Sequence, residues 1–496
     1  MTIPKPTRLA ALIAALDHVR TRGPLERPIR ALAHDSRAVA PGSLFVAVRG
    51  ERVDGHAYIA DALARGADAV VHEERARIVP SSRGATTIAV PDSRRALSRL
   101  AATFYGDPSR DLAVTGITGT NGKTTTSFML EAILVHAGVA TARLGTLGVS
   151  FDDTLAPLTN TTPLALELQA ILARLRERGA RAVAMGVSSH ALALDRVTDV
   201  RFVVGVLTNV TRDHLDFHGS LDRYAAVKRT LFDRAEHAIL NLDDPFGARW
   251  ADELQRAGRP VTTYAIDRAA DVRAECLEIA ADATSFVVGE TRMHLRLPGR
   301  FNVANALAAI AAARRFEIAD TTIAAALAEL ERVPGRMERF VAGGIVAVVD
   351  YAHTPDALTR VLEAARELAR KRLIVVFGCG GDRDRGKRPE MGRIAERLAD
   401  YVVVTSDNPR SESPATIAAE IVAGIVDRGN AAVELDRRAA IRLAIDGANS
   451  GDVVVIAGKG HEDYQIVGDQ TTSFDDRDEV RAALRGRSLQ VKAPRL

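Results

Sequence analysis

Residues 116–126, Gly-Ile-Thr-Gly-Thr-Asn-Gly-Lys-Thr-Thr-Thr, set glycines, one lysine and a run of hydroxyls between an apolar run at 112–115 and a helical pattern at 125–136. The helical side is read from the spacing of Phe128, Leu130, Ile133 and Leu134. Strand, glycine loop and helix in that order make a phosphate cradle. The glycines let backbone N–H groups approach phosphate oxygens, the helix N-terminus adds positive potential, Lys123 reaches the β- and γ-phosphates, and Thr124 offers a hydroxyl to Mg²⁺. The commonest spacing, Gly-x₄-Gly-Lys-Thr, would require glycine at Ile117, so this is a variant phosphate loop. The plainer alternative is a glycine turn ahead of a helix, which Gly-Lys-Thr and the two flanks argue against.

Other polar clusters follow apolar runs, where open α/β sheets gather their ligand groups. Runs at 181–187, 202–208 and 238–241 read as buried strands, and Thr159-Asn-Thr-Thr-Pro163, Ser188-Ser-His190 and Asn209-Val-Thr-Arg-Asp-His-Leu-Asp-Phe-His218 supply polar end segments. A lone histidine such as His190 reads most simply as a hydrogen-bonded structural residue. His214, set between Asp213 and Asp216 just past a buried strand, belongs to a stretch suited to a metal–phosphate site. Asn302 opens an alanine-rich helix at 304–314 and reads equally as its cap or as an adenine contact. Beyond a linker at Pro334-Gly-Arg336, runs at 346–349, 372–377, 401–405 and 452–456 alternate with helical patterns, which predicts a Rossmann-like parallel sheet. Its strand ends carry Asp350-Tyr-Ala-His-Thr-Pro355, Gly378-Cys-Gly-Gly-Asp-Arg-Asp-Arg-Gly-Lys-Arg388, Asp407-Asn-Pro-Arg410 and Gly458-Lys-Gly-His-Glu462. The basic run 383–388 alone is an ordinary solvated loop; its glycines and its place after a strand favour a small anionic ligand. Residues 1 to about 110 form a small α/β unit, with a strand at 43–48 and a helix at 58–65. There, Asp35-Ser36-Arg37 and the loop 49–56 gather donors and glycines for a phosphorylated or sugar ligand, although Asp-Ser-Arg is also a common turn.

The elements that hold these groups require several cores. A chain of 496 residues, at about 150 residues per domain, should hold about three. Aromatic residues at 4% exclude a stacking-based single-strand binder, and 66 basic against 63 acidic residues leave no field that would draw the chain to nucleic acid or an anionic membrane. Two distant cysteines, Cys276 and Cys379, make neither a disulfide framework nor a cysteine zinc site, which points to a reducing cytoplasm. Lys5 and Arg8 ahead of the apolar run 9–16 superficially copy a signal peptide. That run meets Asp17, His18 and Arg20 without a small-residue cleavage site, so a first amphipathic helix is expected. No uncharged apolar stretch reaches the ~18 residues a membrane span needs.

Taken together, these segments resemble the Mur ligases of peptidoglycan synthesis over nearly the whole chain. Gly119-Thr-Asn-Gly-Lys-Thr-Thr-Thr126, Asn160-Thr-Thr-Pro163, Val187-Ser-Ser-His-Ala-Leu192, Arg212-Asp-His-Leu-Asp216, Tyr351-Ala-His-Thr-Pro355 and Gly458-Lys-Gly-His-Glu462 stand in the family's order. The resemblance implies an α/β fold of three domains: a uridine-nucleotide-binding domain at 1–110, a central P-loop ATPase domain at 111–335 and a C-terminal Rossmann-like amino-acid-binding domain at 336–496. It implies ATP-dependent amide formation in the cytoplasm by a monomer with small-molecule substrates, with neither nucleic acid nor a membrane span. A carboxylate oxygen does not leave by itself, so phosphoryl transfer from ATP makes an acyl phosphate that the incoming amine displaces. Mg²⁺ and Lys123 offset charge on the transferring group.

By the same resemblance, ATP is held by Gly119, Thr120, Asn121, Gly122, Lys123, Thr124, Thr125, Asn302 and Asn305. Arg336 and Asp350 join when the C-terminal domain closes and excludes water. The UDP-muramoyl-dipeptide set is His34, Ser36, Glu51, Arg52, Val53, Asn160, Thr161, Thr162, Ser188 and Arg196. Catalytic roles fall to Lys123, His214 and Lys228. The metal set is Thr124, His214 and Lys228, the last as a carbamate, since an unmodified cation would repel Mg²⁺. The amine set is Arg388, Asp407, Asn408, Pro409, Arg410, Gly458 and Glu462. Asp407-Asn-Pro-Arg410 is the form associated with meso-diaminopimelate, whose extra carboxylate suits an arginine fork. A lysine-adding member is the alternative that Arg410 disfavours. A nucleotide-binding regulator or transport ATPase would need only the loop and would leave the C-terminal motifs unexplained. Two positions depart from the family: Leu194, where some members carry glutamine, and Gly186, where the family usually has a Mg²⁺-ligating glutamate.

Overall fold

Alternation along Ser43–Val46 sends Leu44 and Val46 to one face of a sheet and Phe45 to the other, and each face finds its own core. The first is closed by Leu9, Leu12, Leu97 and Leu100, the second by Ile59 and Ala62. This computed structural model describes residues 6–50, 53–74, 84–152, 154–280 and 283–490. Contacts divide it into two units, one of residues 1–118, 138–206 and 227–238, the other of residues 119–137, 207–226 and 239–496.

In the first unit, five strands lie in the order Arg20–Arg22, Thr86–Val90, Ala67–Glu73, Ser43–Val46, Ala31–Ala33, parallel except at the Arg20–Arg22 edge. Asp92 caps the helix Ser93–Phe104 by accepting from the N–H groups of Arg94 and Arg95. A second set of strands pairs Ala182–Gly186 in parallel with both Ala113–Thr118 and Thr141–Gly145. Their side chains pack on Leu168, Leu172, Leu175 and Phe202. The expected run 9–16 is helical only over Leu9–Ile13.

The second unit holds the helix Lys123–His136, which packs on the helix Arg300–Arg314, and a six-stranded sheet. That sheet runs Glu338–Ala342, Ile345–Asp350, Val453–Ala457, Leu373–Phe377, Tyr401–Val404, Ala431–Val433. Val348, Val375 and Val455 point into one core, Val349, Ile374 and Ile456 into the other, so both faces are covered as in a doubly wound fold. The sheet is parallel as expected except for its first strand, which pairs antiparallel with Ile345–Asp350. Gly343 and Gly344, with φ of +58° and +76°, supply the two-residue turn that this hairpin needs. The linker expected at 334–336 is instead a packed turn. Gly335 has φ +63°, and a Cβ there would stand 2.3 Å from the backbone nitrogen of His461.

Candidate active site

The loop after Ala113–Thr118 is tied down by the segment that follows Val204–Leu207. Thr120 N donates to Asn209 O at 2.8 Å, Asn121 N to Asn209 Oδ1 at 3.0 Å, and Thr208 Oγ1 to Asn121 O at 2.6 Å. Thr120 Oγ1 accepts from Thr211 N at 2.9 Å. The approach leaves no room for a side chain at the two glycines. A Cβ on Gly119 (φ +150°) would lie 1.9 Å from Thr208 Oγ1, and one on Gly122 (φ +88°) 2.3 Å from Asn305 Oδ1. Lys123 begins the helix, and its ammonium bonds the loop's own carbonyls, Gly119 O and Thr120 O, each at 2.8 Å. Burial lowers Lys123 to about 8; Asp213 opposes that shift and Arg336 adds to it. Burial alone would raise Asp213, but His214, His353, Lys387 and Lys123 bring it to about 2. The cradle thus sets a buried cation, Lys123, beside the loop's N–H groups, an arrangement suited to a polyphosphate.

Arg336 reaches the same place. Its Nη2 donates to Thr124 Oγ1 at 3.2 Å, its guanidinium lies 4.6 Å from the Tyr351 ring centre, and its buried Nε has no partner among the described residues. Burial pushes Asp350 up against the pull of Arg336, and Asp350 accepts from Met337 N at 2.8 Å. A cavity of about 510 Å³ extends from the loop and takes in Asn121, Gly122, Thr125, Asn305, Arg336 and Asp350 of the predicted nucleotide set. Asn302 stands apart from its wall and corrects the cap reading. It lies inside Arg300–Arg314, donates back to Pro298 O at 2.8 Å, and accepts from Asn305 Nδ2 at 3.3 Å. The helix starts before 304 because Gly299 takes the cap position with φ +97°. Sequence reading missed Asn241, Asp244, Tyr264 and Asp356 in the wall. Asp244 was findable, since Asp-Asp-Pro after a strand is a cap signal, and it accepts from Phe246 N and Gly247 N.

The amine set converges at the strand ends Tyr401–Val404 and Val453–Ala457. Asn408 Nδ2 donates to Glu462 Oε2 at 2.8 Å, and Lys459 Nζ donates to Asn408 Oδ1 at 2.9 Å. Lys459 also stands 3.5 Å from Glu462 and 4.0 Å from Asp407. Burial raises Glu462, and Asp407 adds to the rise against Lys459. Two carboxylates thus share one lysine, an arrangement that welcomes an ammonium group. Arg410, at φ +53°, donates Nη1 to Gly381 O at 2.8 Å. Pro409 O would meet a Cβ on Gly381 at 1.8 Å, so the glycine loop and Asp407–Arg410 touch backbone to backbone. Gly458 is needed for the same reason: its Cβ would stand 2.6 Å from Asp407 Oδ2. Arg388 is placed differently from its neighbours. Its side chain has no exposed surface, and its guanidinium is engaged by Glu412 and Glu420 at 2.7–2.9 Å. Lys459 was noted only as part of Gly458-Lys-Gly-His-Glu462 and Arg437 not at all, since their partners Asn408 and Asp476 lie far along the chain.

The first unit has its own cavity of about 830 Å³, into which His34, Ser36, Val53, Leu194 and Arg196 face. Glu51 and Arg52 lie outside the described residues. Burial lowers His34, whose buried Nδ1 has no partner among the described residues. The loop beside it is held by His56, which bonds Asp54 Oδ1 through Nδ1 at 2.6 Å and accepts from Glu73 N at 3.0 Å. Thr162 and Ser188 do not line this cavity. Thr162 Oγ1 donates to Gly186 O at 2.9 Å and accepts from Ser188 N at 3.0 Å, while Arg196 Nη1 donates to Thr162 O at 3.1 Å. Thr161 shares a hydrogen bond with Thr146 at 3.0 Å, and Asn160 is half-buried.

The donors available for Mg²⁺ are few. No group of three or more His, Cys, Asp or Glu side chains among the described residues could hold an ion. In the second unit, a hydroxyl such as Thr124 and a half-exposed His214 suit a metal that keeps its waters and leans on phosphate oxygens; in the first unit, Lys228 is fully buried. Nor is any described helix long and apolar enough to cross a membrane.

Three family models match the chain: "Mur ligase family, catalytic domain" over residues 28–105, "Mur ligase middle domain" over 117–313, and "Mur ligase, glutamate ligase domain" over 335–460. A UDP-N-acetylmuramoyl-L-alanyl-D-glutamate–2,6-diaminopimelate ligase of Syntrophomonas wolfei is 47% identical over 493 residues, covering 97% of this chain and 99% of its own. The protein of that name from Thermosynechococcus vestitus is 47% identical, covering 94% and 95%. A solved structure with that name superposes with a TM-score of 0.69 at 32% identity, covering 97% of this chain and 99% of its own. MurF of Thermotoga maritima in complex with ADP shares the fold at TM-score 0.62 and 21% identity, covering 93% and 98%.

Proposed function

The chain belongs to the Mur ligase family, and from that membership we infer that it adds meso-diaminopimelate to UDP-N-acetylmuramoyl-L-alanyl-D-glutamate at the expense of ATP, in peptidoglycan synthesis. The observation that carries this reading is the amino-acid subsite, where Asp407, Glu462 and Lys459 leave an anionic excess for an ammonium group beside the arginine of Asp407-Asn-Pro-Arg410. An amino acid with a second charged end meets both signs. The domain boundaries we assign are 1–110, 111–335 and 336–496, and we assign the protein to the cytoplasm as a monomer.

In this reading, the N–H groups around Gly119 and Gly122 hold the triphosphate, and Lys123 turns from its loop carbonyls to the transferring phosphoryl. Arg336, left with a buried unpartnered N–H, takes a second position on the phosphates. Thr124, His214 and Lys228 as a carbamate would hold Mg²⁺, which supplies charge neutralisation of the transferring group. Asp407 and Glu462 receive the ammonium end of the amine substrate, and Arg410 its distal carboxylate. His34, Ser36 and the 51–53 loop take the uridine end of the acceptor, with Asn160, Thr161, Thr162, Ser188 and Arg196 toward its dipeptide. Arg388 acts in this account by fixing Glu412 and the glycine loop rather than by direct contact. The test is isotopic. With ¹⁸O in the D-glutamyl side-chain carboxylate, one labelled oxygen should appear in the released phosphate; unlabelled phosphate would exclude an acyl phosphate.

A further inference from the structure

The strands Tyr401–Val404 and Val453–Ala457 are not neighbours. Leu373–Phe377 lies between them, with Phe377 facing Val404 on one side and Ala457 on the other. Ladder hydrogen bonds fix each outer strand against the middle one. Past their last pairs the two loops meet through Asn408, which bonds Glu462 and Lys459, and through Gln465 Nε2, which donates to Asp407 O at 2.8 Å, while their roots at Ser406 and Ala457 stay apart. Those loops carry the amino-acid subsite, Asp407 and Asn408 after one strand and Gly458 after the other.

Arg437 spans that gap. Its Nη1 donates to Ser406 O at 3.1 Å and its Nη2 to Ala457 O at 3.0 Å, one carbonyl from each loop root. Nε and Nη2 also grip Asp476 at 2.7 Å each, and neither side chain has any exposed surface. Burial alone would lower Arg437, yet the Asp476 carboxylate holds it above its usual range, so the charge is kept. The guanidinium is also next to the subsite: a Cβ on Gly458 would stand 3.7 Å from Arg437 Nη2 and 2.6 Å from Asp407 Oδ2. Two apolar residues of similar volume would fill the space without desolvating an ion pair. They would not, however, donate to carbonyls on both sides of an intervening strand.

We propose that Arg437, held by Asp476, is a positioning residue for the amino-acid subsite, setting the separation of the Asp407 and Gly458 loops and with it the fit of the amine substrate. This rests on the function proposed above. The experiment is steady-state ADP release by the full chain carrying Arg437→Lys, Arg437→Met or Asp476→Asn, with each of the three substrates varied in turn and melting followed in parallel. A subsite displaced by a fraction of an ångström should raise KM for diaminopimelate about 10- to 100-fold, with KM for ATP and acceptor within about twofold. Arg437→Lys, which keeps the charge but loses the fork, should fall between wild type and Arg437→Met. An active wild type whose variants keep the diaminopimelate KM, or raise all three KM values together, would overturn the inference alone. So would an Arg437→Lys chain that fails to fold, since the pair would then be a core tie only. A wild type without diaminopimelate-dependent ADP release would overturn the function and this inference together.

Discussion

The phosphate cradle and the amino-acid subsite are built by opposite means. The cradle is mostly backbone: its glycines admit no side chain, and its one mobile charge, Lys123, rests on its own loop carbonyls. The amino-acid subsite is mostly side chain, with Asp407, Asn408, Lys459 and Glu462 bonded to one another. The cradle offers Lys123 and backbone N–H groups to the phosphates, while the cavity beyond it carries more carboxylates than cations; the subsite offers Asp407 and Glu462 to an ammonium group. Burying Lys123 or Glu462 is unfavourable without the ligand, so each site stores part of its own selectivity.

The sharpest way to break this comparison is at the cradle. Lys123→Ala should abolish turnover, a loss of at least ~10²- to 10³-fold, because a preorganised cation serves the transferring phosphoryl more than the core. The fold should survive, since among the described residues the lysine's hydrogen bonds go to its own loop. Retained ADP release with an unchanged melting curve would sink the assignment. At the other site, Arg410→Ala should weaken diaminopimelate use by roughly 30- to 150-fold, the ~2–3 kcal/mol of a charge-assisted fork, while leaving the KM for ATP in place. Equal losses for both substrates would mean that Arg410 supports the loop through Gly381 and does not select the amine.

The same contrast explains what could be read from the chain alone. A backbone cradle announces itself locally, because Gly119, Gly122, Lys123 and Thr124 lie within six consecutive residues and each has a steric or charge reason to be there. The strand–helix beat of the last 160 residues was legible for the same reason, since it depends on runs and their spacing. The antiparallel first strand of that sheet was missed although Gly343-Gly344 is a hairpin signal, because the partly exposed run before it lacks the continuous apolar character of the buried strands. Side-chain clusters depend on partners far along the chain. Arg388 read as a contact to the amine substrate before Glu412 and Glu420 were placed beside it, and Asn302 read equally as a cap or an adenine contact before the helix was seen to start at Arg300.

A smaller effect sharpens the comparison on the metal. Gly186 stands where the family usually has a metal-ligating glutamate, and a Cβ there would make only ordinary contacts, 3.5 Å from Thr161 Cγ2 and 3.8 Å from Leu144 O. Gly186→Glu should therefore lower the Mg²⁺ concentration for half-maximal rate several-fold. An unchanged requirement, with nucleotide binding intact, would mean that another residue already supplies the ligand.

The smallest effect concerns acid stability near the amino-acid subsite. The Arg388 guanidinium leads in holding Glu412 down, from 4.5 to about 2, against burial. A carboxylate depressed on folding stabilises the native state above its unfolded value and loses that contribution as pH falls toward the folded one. Melting of the wild type should thus steepen its decline between pH 4.5 and about 2, and Glu412→Gln should flatten that limb. Parallel curves for the two proteins would show that the pair is screened by solvent.

The central claim, that a lysine in a backbone cradle serves ATP and a carboxylate pair serves a zwitterionic amine, is tested most directly by ADP release from the purified chain. UDP-N-acetylmuramoyl-L-alanyl-D-glutamate and ATP would be supplied with meso-diaminopimelate, with lysine, or with no amine. The account predicts sustained release with meso-diaminopimelate, far less with lysine, and none without an amine. Release at the same rate in all three mixtures, or a preference for lysine over meso-diaminopimelate, would contradict it.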